Sequence, residues 1–91
     1  MPYTLIYTKR YLKHASKFLK ARPEIHAQYK KTLILLELNP FHPSLRLHSL
    51  SGRSDGAYSV SINMSYRIVL DILFVDDSIV LLDIGTHDQV Y

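Results

Sequence analysis

His48 in "RLHSLSG", Arg67 in "MSYRIVL" and His87 in "IGTHDQVY" are the side chains whose chemistry stands out in this sequence. An imidazole titrates near neutrality, so His48 and His87 each suit general acid or base work. A guanidinium matches a phosphate through two parallel hydrogen bonds, so Arg67 suits an anion clamp. Each has a plainer role open to it as well. A histidine is more often a hydrogen-bonded surface residue than a catalyst. Arg67 has Asp71 and Asp83 as ion-pair partners, an arrangement worth little where it is exposed.

Other chemistries lack their residues. There is no cysteine, which excludes disulfides and thiolate metal sites and fits a reducing, cytoplasmic setting. His42 and His48 lack the ligand company and spacing of a zinc site. His14 and His26 fall on helical segments and read as surface residues. No G-x-S-x-G elbow, phosphate-cradling glycine loop or carboxylate pair is present. Nothing calls for a metal or a cofactor. "MPYTLIYTKRYLK" has no apolar run suited to a signal peptide or a membrane span.

The elements that must position these residues follow from periodicity. Tyr3 to Tyr7 is rich in aromatic and β-branched residues and reads as a short strand. Thr8 is placed to cap a helix from Lys9, whose apolar stripe is Tyr11, Leu12, Ala15, Phe18 and Leu19. Pro23 stops it and starts a second helix. That helix carries Ile25, Tyr29, Leu33 and Leu36 on one face, widened by Ile34, Leu35 and Leu38. Asn39 and Pro40 close it. From Leu45 the period becomes two. "AYSVSIN", "SYRIVLDILFV" and "SIVLLDI" read as successive strands, with a turn over "SGRSDG" and a tight turn at Asp76-Asp77. Alternation sets Arg67, Val69 and Asp71 against Tyr66, Ile68 and Leu70. The reading is one α+β domain, residues 1–91. An N-terminal strand and an antiparallel helix hairpin pack on one face of a mostly antiparallel sheet of four to five strands, and the other face is partly open.

Charge is unevenly spread. Residues 1–31 hold eight Lys/Arg and one acid, a balance of +7, whereas residues 32–91 hold three Arg and seven acids, a balance of −4. Such asymmetry suits a polyanion or an acidic protein partner, and equally a solvated helix face.

The order "L-x-G … Y-x-x-x-I-x-x-x-Y-R-I-V … I-V-L-L-D-I-G-T-H-D-x-V-Y" resembles the RelE/ParE superfamily of bacterial toxin–antitoxin modules, in particular its YafQ-like and RelE-like branches. It is sharpest in Leu50-Ser51-Gly52, in Tyr66-Arg67-Ile68-Val69 and from Ile84 to Tyr91. The resemblance implies a microbial-RNase-like fold and an endoribonuclease that cuts mRNA in the ribosomal A site. It implies attack of a ribose 2′-OH on the adjacent phosphate, leaving a cyclic or 3′-phosphate and a 5′-OH. It also implies a cognate antitoxin, in a hetero-oligomer, whose acidic or amphipathic segment folds along the helices or the sheet.

Residue by residue, His87 matches the tail histidine of the YafQ-like branch, a general acid or base. Arg67 matches the phosphate-binding arginine of the "Y-R-hydrophobic-V" strand. His48 matches the histidine of the "H-x-L-x-G" segment, and Tyr91 the terminal aromatic that stacks on a base. Arg46 and Arg53 stand near the lysines of the RelE-like branch. Lys13, Lys17 and Lys20 would lie on ribosomal RNA. The chain departs from the YafQ-like pattern at Ser61 and Ser65, where that branch has a histidine and an aspartate. Two other readings share the resemblance: a ParE-like DNA gyrase inhibitor without nuclease chemistry, and a non-catalytic member that only binds its antitoxin.

Overall fold

The structure, a computed structural model, describes residues 2–50 and 56–90. Strand β1 (Thr4–Tyr7) leads into helix α1 (Lys9–Lys20). Thr8 caps α1 as expected: its Oγ1 accepts from the Tyr11 N–H at 3.1 Å and donates to the Leu81 carbonyl at 2.7 Å. One hydroxyl thus satisfies an orphan helix donor and ties the helix start to the sheet. Pro23 opens a single 3-10 turn (Pro23–Ile25) that runs into α2 (His26–Leu38). The sheet adds β2 (His48–Ser49), β3 (Tyr58–Ser61), β4 (Tyr66–Leu73) and β5 (Ser78–Thr86), and a last turn of helix, α3, spans His87–Val90.

The five strands lie in the order β1-β5-β4-β3-β2. Only β1 runs parallel to its neighbour, β5, and the other pairings are antiparallel. This is the α+β architecture expected from the sequence. Between β4 and β5 the tight turn forms where it was expected, with Asp77 in the left-handed region at φ 50°. A short polar side chain tolerates that conformation better than most.

The main core lies between the helices and one sheet face. Tyr11 and Ala15 of α1 and Leu36 of α2 meet Val60, Ile68, Leu70, Ile79 and Leu81. Tyr11 is fully buried and shares a 2.6 Å hydrogen bond between hydroxyls with Tyr29. Burial pushes the Tyr11 phenol far up, so it stays a neutral partner. On the other sheet face Leu50, Ala57 and Val69 form a second cluster, closed by Leu82 and Val90. That face is therefore partly covered.

Several details differ from the periodicity. Leu12, Ile34 and Leu38, expected in buried stripes, are 53%, 56% and 65% exposed. Ile34 and Leu38 each stand two residues from Leu36, about 200° around the helix, so burying Leu36 turns both outward. The alternation from Leu45 is also shorter than expected. Pro43–Leu45 forms a 3-10 turn and Arg46 is left-handed at φ 50°, so β2 begins only at His48. The turn expected over "SGRSDG" lies mostly outside the described residues.

The β4–β5 ladder carries one irregularity. Val69 pairs with Asp83 while Leu70 pairs with Leu81, which leaves Leu82 as the extra residue. A bulge of this kind re-aims the side chains beside it. Asp83 meets α1, where its carboxylate accepts from His14 Nδ1 at 2.7 Å and Arg10 Nη2 at 3.1 Å. Burial alone would push the Asp83 carboxyl up. The His14 hydrogen bond, the Ile84 N–H and the charges of His14 and Arg10 outweigh it and hold the group below the usual carboxylate range.

A depressed carboxyl stabilises the fold above its unfolded value, near 4, and that stability is lost as pH falls through the lower folded value. Asp83→Asn is therefore expected to cost about 1 kcal/mol at pH 7 in urea unfolding. The gap to the parent chain should close as pH drops below about 4. A gap that does not change with pH would show that the Asp83 charge contributes nothing.

Candidate functional site

Register gathers the candidate residues on the sheet face away from the helices. His48 pairs with Ser59, Ser59 with Val69, and Ser61 with Arg67. Directly paired residues on neighbouring strands share a face, so His48, Ser59, Ser61 and Arg67 all point the same way. Arg67 is half-buried, and its Nη1 donates to the fully buried Ser59 hydroxyl at 3.4 Å. Of the two ion-pair partners weighed for Arg67, Asp83 is held by α1, and Asp71 Oδ1 accepts from the Ile72 N–H at 2.8 Å.

The tail comes to the same strand end. Gly85 pairs with Arg67 and Thr86 with Tyr66, and the His87 N–H donates to the Ser65 carbonyl at 3.1 Å. A glycine after an apolar run suits the point where a chain leaves its strand. Gly85 lies within β5 instead, and the strand runs on to Thr86. Thr86 Oγ1 then accepts from the Gln89 N–H at 3.3 Å, while Gln89 Oε1 accepts from the Thr86 N–H at 2.8 Å. This reciprocal pair is a capping box, and it fixes the turn that begins at His87. Its sequence signature is T-x-x-Q, Thr86 to Gln89. The His87 ring is exposed, with Nδ1 3.7 Å from the Asp88 carboxylate. An exposed pair at that distance contributes little.

The other candidates divide in two. His48 is exposed, its Nδ1 3.2 Å from the Arg46 carbonyl, which suits an Nδ1–H tautomer donating to that oxygen. Arg46 is exposed beside it. Arg53 and Tyr91 lie outside the described residues. Lys13, Lys17 and Lys20 are exposed on α1 and spaced to share one face. Ser61 Oγ donates to the Asn63 carbonyl at 2.5 Å. Asn63 Oδ1 accepts from both the Ser65 and Tyr66 N–H groups and shapes the turn into β4. The serines at the two departures from the YafQ-like pattern are thus part of the turn that presents Arg67.

Sequence reasoning set His14 aside, yet it is the group bonded to Asp83. The spacing of Arg10 and His14 was legible, but the bulge that brings Asp83 to them was not. Nearby, Phe18 meets the Tyr66 ring edge-on at 5.2 Å, and the Arg22 guanidinium sits 4.0 Å over Phe18. These contacts fasten the end of α1 to the strand that carries Arg67.

Several solved structures with this fold are toxins. The toxin chain of the Escherichia coli DinJ-YafQ toxin–antitoxin complex superposes with a TM-score of 0.78, at 19% identity over 100% of this chain and 99% of that one. This is the fold of the RelE/YafQ-like toxins. The archaeal RelE-RelB complex from Pyrococcus horikoshii OT3 matches with a TM-score of 0.73, at 20% identity over 98% and 99% of the two chains. A metal-bound toxin from Helicobacter pylori matches with a TM-score of 0.74, at 20% identity over the whole of both chains. No family model matches the sequence, and a search of curated proteins finds no match. Within the RelE/YafQ-like fold of this chain, no three His, Asp or Glu side chains among the described residues gather as a metal site. No helix among them is long and apolar enough to cross a membrane.

Gly85 leaves room for the capping box. A Cβ there would stand 2.7 Å from Gln89 Oε1 and 3.3 Å from Gln89 Cβ. Gly85→Ala should open the box and cost about 1 kcal/mol in urea unfolding, the usual worth of a cap. In a Gln89→Ala background the same change should cost little. An equal cost in both backgrounds would mean that Gly85 serves something other than this contact.

Proposed function

We propose that residues 1–91 form one toxin domain of a type II toxin–antitoxin module, an endoribonuclease that cuts translated mRNA on the ribosome and so blocks translation in the cytoplasm. The observation that carries this reading is the shared face: His48 and Arg67 point from neighbouring strands toward one side, and the His87 backbone is bonded at the end of the same strand. The fold shared with YafQ and RelE supports it.

The reaction needs a base for the ribose 2′-OH, cationic support for the phosphorane and an acid for the leaving 5′-oxygen. The 2′-oxygen forms a bond to phosphorus as its proton passes to the base. The P–O5′ bond breaks, and the acid protonates the 5′-oxygen. The products are a cyclic phosphate and a 5′-OH end. In this reading His87 and His48 divide the acid and base roles and Arg67 holds the non-bridging oxygens. Tyr91 stacks on a base, and Arg46 and Arg53 contact the RNA backbone. Lys13, Lys17 and Lys20 offer the exposed basic stripe that ribosomal RNA, or an acidic segment of the antitoxin, would meet. The proposed assembly is a toxin–antitoxin hetero-oligomer.

The test is to induce the chain in bacteria and map new mRNA 5′ ends with and without translation. Cuts within coding frames that require translation are the expected result. His87→Ala should slow cleavage by about 10²- to 10⁴-fold. Arg67→Ala should weaken cleavage far more than antitoxin binding, whereas reversal of Lys13, Lys17 and Lys20 should weaken that binding. Intact mRNA accompanied by blocked DNA supercoiling would overturn the nuclease reading in favour of gyrase inhibition.

A further inference from the structure

Between the C-terminal half of α1 and the tail turn lies a cleft of about 460 Å³. That is within the size range of small-molecule sites. Phe18, Ile84 and Val90 give it apolar walls, and His14, Lys17 and Arg22 line it with cationic or titratable groups. Its one carboxylate, Asp83, is already bonded to His14 at 2.7 Å and Arg10 at 3.1 Å. The charge offered to an occupant is therefore that of Lys17 and Arg22. Arg22 Nη1 donates to the Phe18 carbonyl at 3.3 Å, which uses one of the five N–H groups of a guanidinium. An occupant that satisfies such a lining has a flat, weakly polar body and an anionic group. A nucleoside monophosphate unit has both, with the base against Ile84 and Val90 and the phosphate toward Lys17 and toward Arg22, whose guanidinium lies over Phe18.

The cleft also adjoins the candidate site. Gln89 and Val90, which line it, belong to the turn that starts at His87. Ile84, another lining residue, faces the helix side of the sheet one position before Gly85, the ladder partner of Arg67. We infer that the cleft is a nucleotide subsite, which takes a base–sugar–phosphate unit of the RNA strand next to the one cut at Arg67 and His87. The inference rests on the endoribonuclease reading for its place in the reaction, but its test reads binding alone.

The whole chain, labelled with nitrogen-15, is titrated with adenosine and uridine 3′-monophosphates, with the two nucleosides, with inorganic phosphate and with a short acidic peptide. Saturable amide shifts at His14, Lys17, Ala21 and Val90 are expected with both nucleotides. Nucleosides and phosphate alone should bind roughly tenfold more weakly, since each lacks one half of the fit. Lys17→Glu should weaken nucleotide binding by roughly tenfold. Ala21→Trp, at an exposed position that lines the cleft, should fill it and abolish the shifts. Lys30→Ala, at an exposed position on α2, should leave nucleotide affinity unchanged, because Lys30 does not line the cleft. Absence of saturable shifts, unchanged affinity in Ala21→Trp, equal affinity for phosphate alone, or tighter binding of the acidic peptide would each overturn the subsite. Nucleotide binding that survives alongside full cleavage by His87→Ala would leave the cleft standing and remove His87 from the reaction. Translation-dependent cleavage without nucleotide binding would do the reverse.

Discussion

The pairing of β4 with β5, with its one-residue shift between Val69 and Leu70, is the constraint on which the rest of the structure depends. On one side of the shift the ladder is regular and feeds Ile72 and Ile79 into the main core. On the other it continues through Gly85 and Thr86, so that the chain reaches the start of β4 still hydrogen-bonded. The extra residue at the shift lets Asp83 meet α1 while Leu82 closes the second cluster with Val90. Without it, strict alternation would assign these side chains to other faces. Helix, sheet and tail are thus locked through one strand.

This arrangement puts a polar constellation beside a covered surface rather than on an open one. Ser59 is fully buried beneath Arg67, and the cluster of Leu50, Ala57 and Val69 lies next to it. Burying a guanidinium in part is costly unless hydrogen bonds and nearby solvent offset the desolvation. Natural domains tolerate such costs mainly where a site needs a held cation. The basic stripe of α1 lies on a different element, and its lysines remain in water.

Much of the frame was legible because it rests on local signals. Thr8 as a cap, Pro23 as a break, the Asp76-Asp77 turn and the alternation around Arg67 all follow from a few adjacent residues. What escaped depends on contacts between distant segments. The period of α2 could not say that Leu36 would take the core at the expense of Ile34 and Leu38. The pattern "LRLHSL" gave no warning of a left-handed Arg46. Asp83 was weighed as a partner of Arg67, and the bulge brings it to α1. His14 was dismissed because its partner lies 69 residues away. For the site itself, the shared face of His48 and Arg67 was implicit in the strand pattern. The anchoring of His87 to Ser65 was not, because it needed the ladder to run two residues further than the apolar run suggested.

The central claim is that the tail is part of the sheet's hydrogen-bonded frame, so that His87 is held where β4 begins. Native-state amide exchange of the His87 N–H tests it most directly, since that group is the donor to the Ser65 carbonyl. The account predicts protection well above that of an exposed amide, comparable with the neighbouring β5 amides and lost in Gly85→Ala. Exchange of the His87 amide at the rate of an unstructured peptide, with β5 still protected, would contradict it.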